Sequence, residues 1–368
     1  MCCSSLVETY VDTHKGDRMK RVKVGDIEIG PENPPYIIAE IGSNHNGDMD
    51  LCKRLIAAAA DAGANAVKFQ SWTEASLIAK EEYDRNTEYS DKKRHFGSLR
   101  EMVRSYQFTA EQHLEAHAYC HERGITFCST PFSPAEADLL EKLDVPFYKI
   151  ASMDIVHLPL LKHVARKQRP VLISTGMATL AEIERAVETV RGEGNDQIVL
   201  LHCVSIYPPD YDMIHLRNIA TLQQVFDVPV GFSDHTMGTA IPLAAIALGA
   251  CVIEKHFTLD QDMPGWDHAI SATPTEMRTI VKEGRNILTS LGQSKRVVTE
   301  AEMEKRKKFR RSLVTRSPLP RGHVLTEADL DAKRPGTGIS PAEMSYALGR
   351  TLARDLQEDE VIRWEDLA

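Results

Sequence analysis

Two lysines, a set of hydroxyl side chains, two late histidines and several acids each stand just after a short apolar run. Lys68 follows Ala66-Val67 and opens KFQ; Lys149 follows Phe147-Tyr148 and opens KIAS. A lysine that ends a buried strand is costly to desolvate without an anionic partner. A neighbouring carboxylate would satisfy either one alone. Two in one ring, with Thr130, Ser152, Ser174 and Ser233 adding hydroxyls, form a cradle for a phosphate or another oxyanion. His235 in GFSDH and His256 in EKHF end neighbouring runs. They serve either as structural hydrogen-bonders or as two ligands of one divalent ion, with its other positions open for Lewis-acid chemistry. Spacing leaves both readings open. Glu40, directly after YIIA, is placed to handle a proton or organise a nucleophile. Asp234 and Glu254 adjoin the histidines and are read as orienting them. Asp154 follows KIAS closely, and Asp267 lies in the turn PGWDH, where stabilising the turn is the plainer role. His202 and Cys203 make no nucleophile pair, because strand neighbours face opposite ways.

The elements that must position these groups are regular. Apolar runs at Tyr36–Ala39, Ala66–Val67, Ile125–Cys128, Phe147–Tyr148, Val171–Ile173, Ile198–Leu201, Val230–Phe232 and Ala250–Ile253 all stop on such polar residues. Between them, segments such as Asp50–Ala62, Thr109–Glu122, Leu180–Arg191 and Thr275–Leu291 space apolar residues by three and four, the helical period. Gly63, Gly124 and Gly249 stand where helices end. Alternating strand and helix with function at the strand tips predicts a (β/α)8 TIM barrel, an α/β fold whose strand ends form one mouth. RVKVGDIE, around Gly25-Asp26, predicts a hairpin closing the barrel's opposite end. The long polar insertion after the second strand, residues 71–107, is expected to cover the mouth.

The domain reading is an N-terminal extension over 1–20, a barrel with its hairpin over 21–291, a charge-dense linker or solvated helix over 292–310, and a small β domain over 311–368. Forty-four basic against 53 acidic residues give a net charge of −9, which argues against nucleic acid as a partner but permits a locally basic pocket. No apolar stretch approaches the roughly 20 residues of a membrane span. Residues 1–20 lack the apolar core of a secretory signal. Seven scattered cysteines without a C-x-x-C read as reduced thiols of a cytoplasmic protein; the pair Cys2–Cys3 is weak grounds for lipidation.

With these residues laid out, the chain resembles the sialic acid synthase family, phosphoenolpyruvate-dependent nonulosonic acid synthases with a C-terminal antifreeze-like SAF domain. The matching motifs run in order through AEIGSNHNGD, VKFQ, STPFS, YKIAS, ISTGMAT, SIYP, GFSDHTMG, IEKHFTLD and DHAISATP, with KRPGTGIS in the small domain. The resemblance implies condensation of phosphoenolpyruvate with an N-acetylated hexosamine of the N-acetylmannosamine type, giving a nine-carbon 2-keto acid and phosphate. It places Lys68, Thr130, Lys149, Ser152, Ser174 and Ser233 on phosphoenolpyruvate, and His235 and His256 on a divalent ion, manganese or magnesium. Gln70, Tyr207 and Asp267 fall on the sugar, Glu40 near the reacting carbons, and Arg334 across a domain-swapped homodimer on the partner's substrate. The chain departs from N-acetylneuraminate synthases at three sugar-facing positions: Asp154 for Glu, Ser205 for Asn and Trp266 for Pro. Those departures make a legionaminic-type synthase, acting on a 2,4-diacetamido-6-deoxy hexose, the alternative. A barrel retained only for binding, or an aldolase forming a Schiff base through Lys68 or Lys149, are the rivals of other kinds.

Overall fold

The computed structural model describes residues 20–88, 90–91, 94–95 and 97–368. Cys2, Cys3 and all but the last residue of the 1–20 extension lie outside them. The described chain forms two compact units, one ending at Gly292 and the other spanning Gln293–Ala368.

The first unit carries eight parallel strands: β1 (Tyr36–Gly42), β2 (Ala66–Ser71), β3 (Thr126–Pro131), β4 (Tyr148–Ile150), β5 (Val171–Ser174), β6 (Ile198–Cys203), β7 (Val230–Asp234) and β8 (Val252–His256). Their spatial order is β3-β2-β1-β8-β7-β6-β5-β4, the sequential ring of a TIM barrel, with β3 and β4 side by side at its seam. A helix follows each strand: α1 (Met49–Asp61), α2 (Ala110–Arg123), α3 (Pro134–Lys142), α4 (Leu158–Ala165), α5 (Leu180–Arg191), α6 (Asn218–Phe226), α7 (Ala240–Ala247) and α8 (Pro274–Leu291). The caps explain the starts. Thr109, Thr179 and Thr273 each accept from the backbone of a Gln or Glu three residues on, and that side chain returns to the cap.

Two apolar layers fix which side chains face inward. Tyr36, Ile38, Ala66, Cys128, Phe147, Leu172, Val199, Leu201 and Val252 fill the lower barrel interior together with Val22, Val24 and Ile29. Those last three belong to the hairpin Val22–Val24/Ile27–Ile29, which plugs the end away from the strand tips as the sequence implies. Outward-facing neighbours such as Ile37, Val67, Ile173, Phe232 and Ile253 pack under the helices. The insertion after β2 builds its own small core from Trp72, Tyr83, Leu99, Met102, Val103 and Tyr106, which meets Phe132 at the mouth. Its residues Trp72 and Leu77 border the mouth.

In the second unit the charge-dense run is a helix, Glu300–Phe309, with none of its residues buried. Acids in its first turn and bases in its last suit the helix dipole. Gly336 N donates to Lys307 O (2.9 Å), so this helix belongs to the small domain. Ser312–Thr315 pairs antiparallel with Leu330–Lys333 over a core that includes Leu313, Leu325, Ile339, Leu356 and Ile362.

Candidate active site

Alternation along each strand carries the interior layer upward into chemistry. Two residues beyond Ile38 is Glu40; beyond Ala66, Lys68; beyond Phe147, Lys149; beyond Leu172, Ser174; beyond Leu201, Cys203; beyond Val252, Glu254 and then His256. The apolar plug is therefore topped by a ring of polar groups at the tips. Parallel register sets Glu40 between His256 of β8 and Lys68 of β2, and Ser233 of β7 beside Glu254. A register shift at Gly42 lets β1 turn out of the barrel. Gly42 has φ +54°, and an added Cβ would lie 3.1 Å from Glu40 Oε1, so glycine suits both the backbone and the site.

The ring is a connected charge network. Lys68 Nζ lies 2.8 Å from Glu40 Oε2 and 3.9 Å from Glu254 Oε2, and donates to Thr130 Oγ1 at 3.2 Å. Gln70 Nε2 donates to Glu40 Oε1 at 2.8 Å. Lys149 Nζ lies 3.3 Å from Glu254 Oε1, which also accepts from Ser233 Oγ at 2.9 Å. All four charged side chains are at least 94% buried. Burial pushes the Glu40 carboxyl above the usual range; Lys68 opposes that and the Glu254 charge adds to it. Burial works the same way on Glu254, but Lys149 and Lys68 together hold it below the usual range. One buried carboxylate thus stays charged between two ammonium groups while its neighbour is drawn toward the neutral acid. Ser174 Oγ is buried beside this network with no hydrogen-bond partner.

His235 and His256 lie side by side, ring centroids 5.4 Å apart, with the Tyr207 ring tilted by 50° against His235 at 4.1 Å. Burial, then the His256 ring, pulls the His235 pKa down to about 3, so its ring is neutral at pH 7. A carbonyl oxygen only accepts, so the 3.1 Å contact to Val204 O places the His235 proton on Nδ1 and leaves the Nε2 lone pair available. Asp267 Oδ2 lies 3.9 Å from His256 Nδ1. Among the described residues no group of three or more His, Cys, Asp or Glu gathers as a metal cage. The donors that fit a cation here are the two imidazoles, which would leave most of its coordination sphere to ligand and water.

Together these residues line a cavity of ≈ 310 Å³ that also takes in Ser152, Cys203 and Ser205. Beside it lies a second cavity of ≈ 540 Å³, bounded by Trp72, Phe132, Met153, Ile206, Trp266 and Asp267. Gln70, Ser205, Tyr207 and His256 border both, so the two form one site with a charged inner end and a largely apolar outer end. Ser152 Oγ accepts from Gly176 N (3.1 Å), and a Cβ on Gly176 would collide with Ser205 Oγ at 2.3 Å, which holds the GMA turn flat against the cavity floor.

Three sequence readings are corrected here. Asp234 does not orient His235: it faces outward, accepting from Lys255 Nζ (2.6 Å) and Thr236 N (2.9 Å). Glu254 does not orient His256; it sits at the centre of the lysine network, and the period of two along β8 from His256 gives its facing. Asp154 lines neither cavity, where Met153 stands instead. Its carboxyl is largely buried, and burial lifts it to about 6. Arg334 lies in the second unit, with its guanidinium 5.0 Å from the Phe309 ring.

Comparison with known proteins follows the same outline. A family model for NeuB matches residues 55–296, and one for the SAF domain matches 310–368. This chain belongs to the NeuB family. As a NeuB-family chain it is a transferase, as the resemblance implies. The N,N'-diacetyllegionaminic acid synthase of Legionella pneumophila is 40% identical over 340 residues, covering 90% of this chain and 94% of that one. The human N-acetylneuraminate-9-phosphate synthase is 33% identical over 339 residues, covering 92% and 94%. The crystal structure of N-acetylneuraminic acid synthetase from Leptospira borgpetersenii, in complex with citrate, superposes with a TM-score of 0.71 at 36% identity, covering 78% of this chain and 95% of that one. No described helix is long and apolar enough to cross a membrane.

Proposed function

We propose that this chain condenses phosphoenolpyruvate with the open-chain aldehyde of an acetamido sugar, forming a nine-carbon 2-keto acid and releasing phosphate. The observation that carries the reading is the inner ring, where Lys68 and Lys149 sit with two buried carboxyl groups directly beside a pair of adjacent imidazoles. In this reading Lys68, Lys149, Thr130, Ser152, Ser174 and Ser233 hold the phosphate and carboxylate of phosphoenolpyruvate. His235 and His256 hold a divalent ion, manganese or magnesium, which when bound would polarise the aldehyde oxygen.

Gln70 and Tyr207 border both cavities and Asp267 the outer one, so they hold the aldehyde carbon over C3 of phosphoenolpyruvate. Attack through C3 leaves positive character at C2, and water adds there. Glu40, drawn toward the neutral acid and hydrogen-bonded by Gln70, gives its proton to the former aldehyde oxygen and takes one from that water. The tetrahedral intermediate then expels phosphate between the lysines. Arg334 completes the sugar site of a partner in a domain-swapped homodimer; light scattering that returns a fully active monomer would remove this part.

A specific observation favours the diacetamido sugar over N-acetylmannosamine. The outer wall of Trp72, Phe132, Met153 and Trp266 is apolar, as a 6-deoxy carbon and acetamido methyls require, and a mismatched polar group costs a few kcal/mol. The higher identity to a legionaminic-type synthase points the same way. The test is phosphate release from phosphoenolpyruvate and manganese with a panel of amino sugars. Release with the diacetamido sugar well above N-acetylmannosamine is expected; no release with any acceptor would overturn the function.

A further inference from the structure

The loop after β1 grips the loop after β8 at the rim of the outer cavity. Asn44 Nδ2 donates to Phe257 O (2.9 Å) and Ser271 Oγ (2.8 Å), and Ser43 Oγ donates to Asp267 Oδ2 at 3.4 Å. The outermost contact is made by Asn46. Its Nδ2 donates to Pro264 O (2.7 Å) and its Oδ1 faces His268 Nε2 (3.3 Å).

The chemistry of these atoms gives the chain of bonds one direction. Pro264 O can only accept, so the amide nitrogen of Asn46 must point there and its oxygen toward the ring. His268 Nε2 then carries the proton toward Asn46, and Nδ1 lies 2.6 Å from Thr258 Oγ1, whose hydroxyl also meets Asp260 O at 2.9 Å. Gly265 lies inside the grip: its φ is +149°, and a Cβ there would stand 2.4 Å from His268 Cδ2 and 2.5 Å from Asn46 Oδ1. Nothing larger than glycine fits between the two. Asn46 itself has φ +53°, a conformation that asparagine adopts more readily than most residues.

We infer that Asn46, acting through His268 and Pro264, is the positioning residue for the sugar end of the site. Asn46 lines neither cavity, but the segment it pins carries Trp266 and Asp267, which do. Lys68 and Lys149 stand on β2 and β4, strands whose following loops take no part in this grip. The inference rests on the two-substrate reading above, and its consequence is a split: loosening the grip weakens and blurs recognition of the amino sugar while leaving the phosphoenolpyruvate end intact.

The test uses the full-length chain with Asn46→Asp, which keeps size and backbone preference but puts an acceptor against Pro264 O. Gly265→Ala is the second variant, since it drives the same partners apart by bulk. Hydrogen exchange read by mass spectrometry should show residues 258–271 losing protection about tenfold in both variants, with the rest of the barrel unchanged. In kinetics the KM for the amino sugar should rise about fivefold, as losing one hydrogen bond at the rim implies, with the KM for phosphoenolpyruvate unmoved. The preference between mono- and diacetamido acceptors should narrow.

Unchanged protection in 258–271 would overturn the grip. Lost protection with both KM values rising together, or neither, would overturn its role in sugar recognition. A wild-type chain that turns over no acceptor would instead sink the synthase reading, and the exchange arm would still decide the grip.

Discussion

Replacing Glu254 by Gln tests whether the inner ring is an anion cradle with a built-in substitute anion. The change keeps the shape of the side chain and an acceptor for Ser233, now 2.9 Å away, but removes the charge that faces Lys149 at 3.3 Å and Lys68 at 3.9 Å. Two buried ammonium groups would then share Glu40 alone. Removing one partner of a buried ion pair costs about 3–5 kcal/mol. Part is returned because the Glu254 charge is one of the causes that raise the Glu40 pKa, and each unit of relief is worth about 1.4 kcal/mol. A net loss of about 2–3 kcal/mol corresponds to a Tm lower by roughly 3–5 °C for a chain of this size. An anion that replaces the lost charge should repair it: at a hundred times its Kd, inorganic phosphate returns about 2.7 kcal/mol to any state that binds it. Calorimetric melts in phosphate-free buffer and then across a phosphate titration should show the variant starting below wild type and converging on it. A deficit of equal size at every phosphate concentration, or no deficit at all, would refute the cradle.

Other outcomes follow from the same geometry. Glu40 has a raised pKa in the folded state, so its contribution is fully present below the ordinary carboxylate range and is lost as pH rises through the folded value. Glu40→Gln should therefore gain stability relative to wild type as pH rises from 5 to 8 while losing turnover; a stability difference flat with pH would contradict it. His235→Ala should keep the far-ultraviolet circular dichroism of wild type but lose metal-dependent turnover and manganese binding measured by electron paramagnetic resonance; retained binding would remove His235 from the ligand pair. Lys255→Met should cost about 3–5 kcal/mol in urea unfolding, because it leaves Asp234 charged and fully buried. Adding Asp234→Asn to that variant should recover part of the loss, and no recovery would show that Asp234 finds its stability elsewhere.

Much of the site was legible because a barrel displays it at regular places. Polar residues that interrupt apolar runs marked every strand tip, and Glu40, Lys68, Lys149, His235 and His256 do converge there. For Glu254 and Asp234, adjacency to histidine points the wrong way and strand alternation the right one. Glu254 shares a face with His256, and Asp234 faces away from His235, so both facings follow from a period of two. The helix Glu300–Phe309 was ambiguous for a physical reason: it buries none of its residues, so no apolar stripe announces it. Contacts such as Asn46 with Pro264 had no local signal, since they join residues 218 apart that meet only when β1 and β8 become neighbours. Asp154 follows a strand tip closely, yet the short helical turn Ser152–Asp154 carries it off the cavity wall.

The most direct measurement of the central claim follows the new carbon–carbon bond itself. Phosphoenolpyruvate labelled with carbon-13 at C3 is mixed with the protein, magnesium and the diacetamido sugar, and the label is watched by NMR. The account predicts that the vinyl methylene signal gives way to the aliphatic methylene of a 3-deoxy-2-keto acid, with one equivalent of phosphate, only when acceptor and metal are both present. A label that stays in the vinyl position with every acceptor, or that appears as pyruvate in the acceptor's absence, would contradict it.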